Sequence, residues 1–180
     1  MKTQFAFSPR TIFLLHLTLL LTSPSPSRCT DLIDQTCKMT PFYDLCESSL
    51  RSGAQIAATD MKALATIMAN VVLGNTTDTL NYIEGLIKQS RDPDMEHALA
   101  NCAELYIPVV KYNIPQAIEA LGKGEYGFAN YAISDAAKEA DACEKGFSGS
   151  MESPLTERNK LVRNLCDVAV AILKLASKGG

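Results

Sequence analysis

The chain has 180 residues, with 17 basic and 20 acidic side chains, a formal net charge of −3 and no tryptophan. This length suits one domain with a sizeable core, and the acidic excess argues against nucleic acid or an anionic membrane surface as partner, since either requires a basic face. Aromatic residues are sparse, at 7 %. We therefore expect an all-α protein of closely packed helices, because sheets favour aromatic and β-branched residues.

The N-terminus has the pattern of a signal peptide. Basic residues precede an apolar run at residues 11–21, which is too short to span a bilayer. Ser27 and Cys29 are small residues at the spacing that signal peptidase prefers, so we predict removal of residues 1–29 on export. That segment holds three basic residues and no acidic one; 17 less three leaves 14 basic against 20 acidic side chains, a net charge of −6. We expect no contact with the membrane after cleavage.

Residues 30–56 predict a small helical hairpin ahead of the main body. The second of its two short helices opens at the Thr-Pro pair at 40–41, where Thr can cap the helix and Pro suits its first turn. Cys37 and Cys46 flank that opening, and a disulfide there would close a hairpin too short to be stable by itself. We expect an appendage extending from a bundle formed by residues 57–180.

Two long helices are predicted next. Apolar residues recur at steps of three and four after Asp60, and again after Asp92, which is placed to cap a helix that has Pro93 at its first position. Pro108 and Pro115 fall inside the second helical pattern. We therefore expect a kink or an interruption there, because proline removes a backbone donor and clashes with the preceding turn.

The third and fourth helices complete the predicted bundle. Gly122 to Gly124 ends the second long helix, and residues 125–128 are expected to form the turn into the third. The third helix has a face of small residues, namely Ala129, Ala132, Ala136, Ala140 and Cys143. The last helix, after Ser153-Pro154, has an apolar stripe of Leu161, Leu165, Val168, Ile172 and Leu175. The pattern predicts an up-down-up-down four-helix bundle preceded by the N-terminal helical hairpin.

Six cysteines occur, and in an exported protein they are candidates for disulfides. Cys102 and Cys143 lie on apolar faces of consecutive antiparallel helices, so they can meet and close a loop of about 42 residues, worth roughly 4 kcal/mol. Loss of Cys29 with the signal peptide leaves an odd number. Spacing alone does not assign the pairs.

The residues that could support catalysis are few. After cleavage His97 is the one histidine that remains, and no two Cys or His residues have a short chelating spacing. We interpret the pair Asp92 and Asp94 as a helix start, and Glu139 and Asp141 as residues on the solvent side of their helix. We therefore predict that the protein is not an enzyme and uses no metal and no cofactor.

Two further positions have more than one interpretation. Asn75 opens an N-glycosylation sequon that falls inside a predicted helix, so its glycosylation stays open. Cys166 lies near the core stripe of the last helix, and we interpret it as a buried free thiol in preference to an intermolecular disulfide.

Several of these residues carry a resemblance to plant invertase/pectin methylesterase inhibitors, which covers essentially the whole mature region. The matching features are Thr36-Cys37-Lys38 with Cys46, Asp60, Asp92-Pro93, Cys102, Ser134-Asp135-Ala136-Ala137, and Ala142-Cys143-Glu144 with Phe147. The resemblance implies a four-helix bundle preceded by a helical hairpin, with disulfides Cys37–Cys46 and Cys102–Cys143 and a free Cys166. It also implies an inhibitor that is secreted to the apoplast and cell wall or the vacuole and binds one carbohydrate-active enzyme, one to one.

Such inhibitors act on acid invertases (β-fructofuranosidases) or on pectin methylesterases. Residues 115–120 resemble the cell-wall and vacuolar β-fructosidase inhibitors. Those inhibitors often have Pro-Lys-Phe in the turn before the third bundle helix, whereas this chain has Tyr126-Gly127-Phe128 and matches only the phenylalanine. Tyr126 and the stretch 130–132 instead resemble pectin methylesterase inhibitors.

We predict an inhibitor of an acid invertase that occludes the active-site cleft by reversible binding. A pectin methylesterase inhibitor is the alternative, and a structural or apolar-ligand-carrying bundle is a remote one. The predicted contacts to the enzyme cleft are Lys123, Glu125, Tyr126, Gly127 and Phe128. In this hypothesis Phe128 is an aromatic anchor, or alternatively a cap on the core, and Lys123 is a charge that suits the end of its helix or a substitute for the missing lysine cation.

Overall fold

The structure is a computed structural model that describes residues 26–53, 59–147 and 152–178, with side chains from residue 32 onward. Most of the predicted signal peptide and the predicted boundary between residues 56 and 57 lie outside the described residues. Within these described ranges, seven α-helices and one π-helical turn follow one another. They are α1 (Pro26–Cys37), α2 (Tyr43–Gly53), α3 (Met61–Gln89), α4 (Pro93–Pro108), the π turn (Val109–Asn113), α5 (Ile114–Lys123), α6 (Tyr126–Lys145) and α7 (Thr156–Ala176).

The predicted four-helix bundle is confirmed. Its four members are α3, the interrupted helix formed by α4, the π turn and α5, then α6 and α7. The predicted face of small residues on α6 is buried, so α7 and α5 approach this helix closely. Large side chains from the other helices fill the centre. Among the fully buried ones are Leu64, Met68, Leu99, Tyr106, Ile133, Leu165 and Ile172.

The helix starts were predicted with mixed success. The Asp60 carboxylate accepts a hydrogen bond from the Ala63 amide at 2.8 Å, and Asp92 accepts one from the Asp94 amide at 3.0 Å, so both predicted caps are present. The assignment of Thr40 was wrong. Its hydroxyl donates to the Cys37 carbonyl at 2.8 Å and so satisfies an acceptor at the end of α1, while α2 begins only at Tyr43.

The interruption predicted between the two prolines takes the form of the π turn. The Ile114 amide donates to the Val109 carbonyl, a bond that spans five residues in place of four. Pro115 has no amide hydrogen to donate to the preceding turn, and its ring would clash with a regular α-helical carbonyl there. The wider turn accommodates this ring and keeps Val109 and Ile114 buried in one continuous stripe.

The predicted N-terminal hairpin precedes the bundle and packs on it. Leu50 of α2 is buried, and the Thr36 hydroxyl donates to the Met61 sulfur at 3.4 Å. Gly53 is so close to α3 that a side-chain Cβ there would lie 2.7 Å from a methyl group of Ile67. A Cys37–Cys46 disulfide joins α1 to α2. The close approach requires glycine at 53, a detail that the helical periodicity does not reveal.

A second disulfide and a buried polar chain join α4, α6 and α7. Cys102 of α4 is bonded to Cys143 of α6, and beside it the Tyr106 hydroxyl donates to Asn159 Oδ1 at 2.8 Å. Asn159 Nδ2 donates in turn to Glu144 Oε2 at 2.8 Å. This series of hydrogen bonds stabilises one end of the bundle, because each of its buried polar groups has a partner.

The stripe predicted for the last helix is corrected at both ends, since at its last member Leu175 is only half-buried and the neighbouring Ala176 is buried. Leu161 lies on the surface, and its neighbour Val162 is buried. The buried set on α7 contains Asn159, whose polar side chain the apolar pattern passed over. Because Asn159 belongs to the core, the true stripe is displaced by one residue at the start of the helix.

Candidate functional site

The tip of the α5–α6 hairpin carries the predicted binding residues. Gly124 adopts a left-handed conformation, with φ of 78°, and its amide donates to the Leu121 carbonyl at 3.1 Å. The Glu125 amide donates to the Ala120 carbonyl at 2.9 Å. These bonds satisfy carbonyls at the end of α5, and only glycine takes the required conformation without strain.

The turn itself is shorter than predicted. Helix α6 already begins at Tyr126, so Tyr126, Gly127 and Phe128 form its first helical turn, and only Gly124 and Glu125 connect the two helices. Helical geometry points consecutive side chains in different directions, about 100° apart. The three residues therefore do not present a single surface.

One surface is a cleft of about 330 Å³ between α5 and the start of α6. Three of the five predicted contact residues line it, namely Lys123, Glu125 and Phe128. The Phe128 side chain is 50 % exposed, which settles its position outside the core. Gln116 and Glu119, which were not among the predicted contacts, complete the polar wall of the cleft; they lie seven and four residues before Lys123, respectively, on the same helix face.

Tyr126 and Gly127 lie on a different surface. They line a groove of about 110 Å³ that is completed by α7, with Asn130, Leu173, Lys174 and Ser177 as its other lining residues. The Tyr126 ring is half-buried against the core. Among the described residues, Asn130 Oδ1 is a buried side-chain oxygen that accepts no hydrogen bond. The five predicted residues thus divide between two sides of the hairpin tip.

Lys123 already has a partner within its own helix. Its ammonium lies 2.7 Å from Glu119 Oε1, and both side chains are exposed. This hydrogen bond raises the pKa of Lys123 and lowers the pKa of Glu119. The spacing of four residues between an acid and a following lysine is the sequence signal that indicates such a pair.

A hydrogen bond from α3 also links the hairpin tip to the bundle. Lys62, in the first turn of α3, donates from its ammonium to the Gly122 carbonyl at 2.8 Å. That carbonyl lies in the last turn of α5, where a cation is favoured by the helix dipole. The contact joins residues 60 positions apart, and local sequence patterns could not have indicated it.

The residues weighed for catalysis have structural positions. His97 is exposed on α4, and Asp92 caps that helix. Asp141 lies 3.3 Å from Arg163 of α7, while Glu139 is half-buried on α6, where burial and then the charge of Asp135 raise its pKa. Glu139 and Asp141 were both predicted on the solvent side of α6, and the partial burial of Glu139 departs from that prediction. In the described ranges no three His, Cys, Asp or Glu side chains are grouped as ligands for a metal ion.

Asn75 and Cys166 occupy the elements expected for them. The Asn75 side chain donates to the Val71 carbonyl at 2.9 Å within α3, so the amide that would carry a glycan is engaged by the helix. Cys166 is a buried free cysteine, and burial raises the pKa of its thiol well above the ordinary value. A thiol in this state is a poor nucleophile.

The structure is a disulfide-linked helical bundle with an exposed hairpin tip, and comparison with known proteins assigns its family. The profile of the plant invertase/pectin methylesterase inhibitor family matches residues 31–172. The cell wall/vacuolar inhibitor of fructosidase 1 of Arabidopsis thaliana is 38 % identical over 78 % of this chain and 67 % of its own length. The chain belongs to the plant invertase/pectin methylesterase inhibitor family, and is therefore an inhibitor and not an enzyme.

Two further comparisons cover nearly the whole of the matched proteins. The cell wall/vacuolar inhibitor of fructosidase 2 of Arabidopsis thaliana is 30 % identical over 90 % of this chain and 94 % of its own length. The crystal structure of a mutant form of a pectin methylesterase inhibitor from Arabidopsis matches with a TM-score of 0.66 and 26 % identity, over 77 % of this chain and 93 % of the other. The bundle is thus shared by relatives that are named for different target enzymes.

Proposed function

We propose that this protein is a secreted inhibitor of an acid invertase, which it inactivates by reversible one-to-one binding across the active-site cleft. The observation that carries this proposal is the 38 % identity to a relative named as an inhibitor of fructosidase, compared with 26 % to the pectin methylesterase inhibitor of known structure. In this proposal the hairpin of residues 30–56 and the bundle of residues 57–180 act as one inhibitor unit.

The hairpin tip is the part of the molecule best suited to enter a cleft. Phe128 projects from the first turn of α6, and its half-exposed ring can be buried by the enzyme with a gain in free energy. Lys62 holds the tip on α3, and Gly124 closes its backbone. Little conformational entropy is lost on docking such a rigid element, and that favours tight binding.

The ion pair between Lys123 and Glu119 bears on whether Lys123 can bind a carboxylate of the enzyme. In the free protein Glu119 accepts the hydrogen bond of Lys123, so this cation is already partnered. A pair exposed on both sides is worth little in water and is exchanged at little cost. Lys123 can therefore transfer to a carboxylate in the enzyme cleft, while Glu119 returns to solvent.

Inhibition of pectin methylesterase is the second candidate. Gly127 favours it, because this residue stands where the invertase inhibitors that the chain resembles often have lysine. The match to the solved pectin methylesterase inhibitor is consistent with either target. The remote alternative of an apolar-ligand carrier has a candidate groove of about 260 Å³ lined mainly by Leu86, Met95, Leu99 and Pro154, but the relatives are named as inhibitors and not as carriers.

Export is the localisation that fits the chain. The family match begins at residue 31, directly after the cleavage site proposed at residue 29. The relatives are named as cell wall/vacuolar inhibitors. Among the described helices none has the length and apolarity needed to cross a membrane. We propose secretion to the cell wall or delivery to the vacuole, with Asn75 unglycosylated because α3 engages its amide.

Titration distinguishes the two targets. The mature, oxidised chain beginning at residue 30 is added to a purified acid invertase and, separately, to a pectin methylesterase at mildly acidic pH, and the residual activity is measured. We expect saturable, one-to-one inhibition of the invertase. Inhibition of the pectin methylesterase alone would replace the first candidate with the second, and inhibition of neither would overturn both.

A further inference from the structure

Three exposed aromatic side chains lie on the α5–α6 hairpin and the π turn that precedes it. Tyr112 is 58 % exposed, Phe128 50 % and Tyr131 67 %. We refer to these three residues as the aromatic face. Large exposed aromatics are costly to leave in water, and a group of them on one surface indicates a binding site.

Contacts between α6 and the residues before it place Phe128 and Tyr131 along one stripe of α6. Phe128, Tyr131 and Asp135 have the spacing of neighbours on one helical stripe of α6. Phe128 lies in the cleft beside α5, and the Asp135 carboxylate accepts a hydrogen bond from Asn113 Nδ2 at 2.9 Å. Tyr131 is therefore bracketed by two residues that contact the neighbouring helix, and Tyr112 precedes Asn113.

The π turn contributes to this arrangement. It adds one residue to the backbone between Val109 and Ile114, both of which are buried, and Tyr112 is among the residues turned outward between them. Such wide turns are weaker than α-helix and are found frequently at functional sites. Here the π turn leaves the Tyr112 ring exposed on the surface while Val109 and Ile114 stay buried in the core.

Within the aromatic face, Tyr131 has charged and polar neighbours. Asp135 is bonded to Asn113 on one side and lies 3.8 Å from the Lys138 ammonium on the other. The same ammonium is 5.9 Å from the centre of the Tyr131 ring. These contacts limit the freedom of Tyr131 before any partner binds, which lowers the entropic cost of an interface.

The hairpin tip alone is too small for a stable complex. A standard interface buries about 800 Å² on each partner and involves roughly 20–30 residues of each, whereas the tip from Lys123 to Phe128 offers six. An enzyme that receives the tip must contact a neighbouring surface as well. The aromatic face continues from Phe128 along the same hairpin, and aromatics are enriched in the centres of interfaces.

We infer that Tyr131 and Tyr112 are specificity-determining contacts that extend the enzyme-binding surface from the tip along the α5–α6 hairpin. This inference rests on the proposed function. The partner surface is an apolar patch on the rim of the enzyme's cleft, with acceptors for the two tyrosine hydroxyls. Tyr131 is the principal anchor, because it is the most exposed of the three and lies between Phe128 and the Asn113–Asp135 bond.

The test compares tyrosines on two faces of the bundle. Tyr131→Ala, Tyr112→Ala and the control Tyr82→Ala are titrated against whichever enzyme the wild-type protein inhibits. Tyr82 is an exposed tyrosine of α3 stacked on Arg158 of α7, away from the hairpin. We expect the inhibition constant to rise tenfold or more for Tyr131→Ala, about threefold for Tyr112→Ala and less than twofold for Tyr82→Ala, mainly through faster dissociation.

Three outcomes overturn the inference, and they are distinguishable. If the wild type inhibits and Tyr131→Ala matches Tyr82→Ala, the surface is wrong while the proposed function stands. If the wild type inhibits neither enzyme, the proposed function fails first. If sedimentation shows a wild-type dimer that Tyr131→Ala dissociates, a second copy of this chain occupies the face. Thermal unfolding confirms that each variant is folded.

Discussion

The two ends of helix α6 perform different tasks. Near its start, Phe128 and Tyr131 are exposed and touch few core residues, whereas near its end Cys143 and Glu144 join a disulfide and a buried polar chain with Asn159. The exposed side chains at the start of α6 can gain stabilising contacts with a partner, whereas the residues at its end have already formed their contacts within the folded protein. One continuous helix connects the two ends. The contacts that stabilise the last turns of α6 therefore also hold the exposed residues of its first turns in place for recognition.

This contrast predicts that substitutions at the end of α6 change stability and leave the intrinsic affinity for the enzyme unchanged. Substitutions at its start should do the reverse. The largest changes in free energy are expected at the end of α6.

Removal of the Cys102–Cys143 disulfide is expected to have the largest effect. Replacing both cysteines with alanine frees a loop with a sequence separation of 41, and we expect the free energy of unfolding to fall by about 4 kcal/mol. The matched control replaces Cys37 and Cys46, whose separation is 9, at an expected cost of about 3 kcal/mol. Denaturant unfolding measures both. A larger loss from the shorter loop would contradict the loop-entropy account.

Asn159→Ala tests the buried polar chain. The substitution leaves the Tyr106 hydroxyl without its acceptor and removes the Asn159 hydrogen bond to Glu144, which keeps its bonds from Ser153 and Thr156, and we expect a loss of about 2–3 kcal/mol in the free energy of unfolding. Asn101→Ala, at an exposed position on α4, is the control and should change little. At a temperature where the variant stays folded, its inhibition constant should lie within twofold of wild type. A tenfold change would show that the two ends of α6 are coupled.

Phe128→Ala tests the opposite end. We expect inhibition to weaken about tenfold, equivalent to about 1.4 kcal/mol, with a shift in melting temperature below about 2 °C. Phe42→Ala removes another exposed phenylalanine, on the N-terminal hairpin, and serves as the matched control. A large loss of thermal stability in Phe128→Ala would show that Phe128 stabilises the fold, and the two ends of α6 would then not differ in the way described.

Glu144→Gln gives the smallest expected effect and a pH signature. Burial opposes ionisation of Glu144, but hydrogen bonds from Thr156, Asn159 and Ser153 outweigh it and lower the pKa of the carboxyl. A lowered pKa in the folded state stabilises the protein above the unfolded value of about 4.3, and this contribution is lost as the pH falls through the folded pKa.

The melting temperatures of wild type and Glu144→Gln should therefore differ most near neutral pH, by an amount equivalent to about 1 kcal/mol, because solvent screens this half-exposed site. The difference should shrink below about pH 4. Glu104→Gln, at an exposed position on α4, should show no such trend. A difference that grows as the pH falls would contradict the assigned direction of the shift.

Local patterns predicted most of the fold and part of the candidate site. Helix lengths, the small-residue face of α6 and the caps at Asp60 and Asp92 follow from periodicity and from capping chemistry, which act over a few residues. Phe128 was selected from sequence and lies at the cleft. Leu161 was misassigned because a polar residue, Asn159, takes part in the core, and apolar periodicity does not register polar members.

The sequence by itself determined the class of this protein: its helices and the apolar faces that bring those helices together. Only the tertiary structure decided that α5 lies beside Phe128 while α7 lies beside Tyr126, that Lys62 contacts the hairpin tip, and that Tyr131 is exposed. The physical reason is distance along the chain. Propensity and periodicity are properties of neighbouring residues, whereas a binding surface is assembled from residues that meet only after the helices have packed.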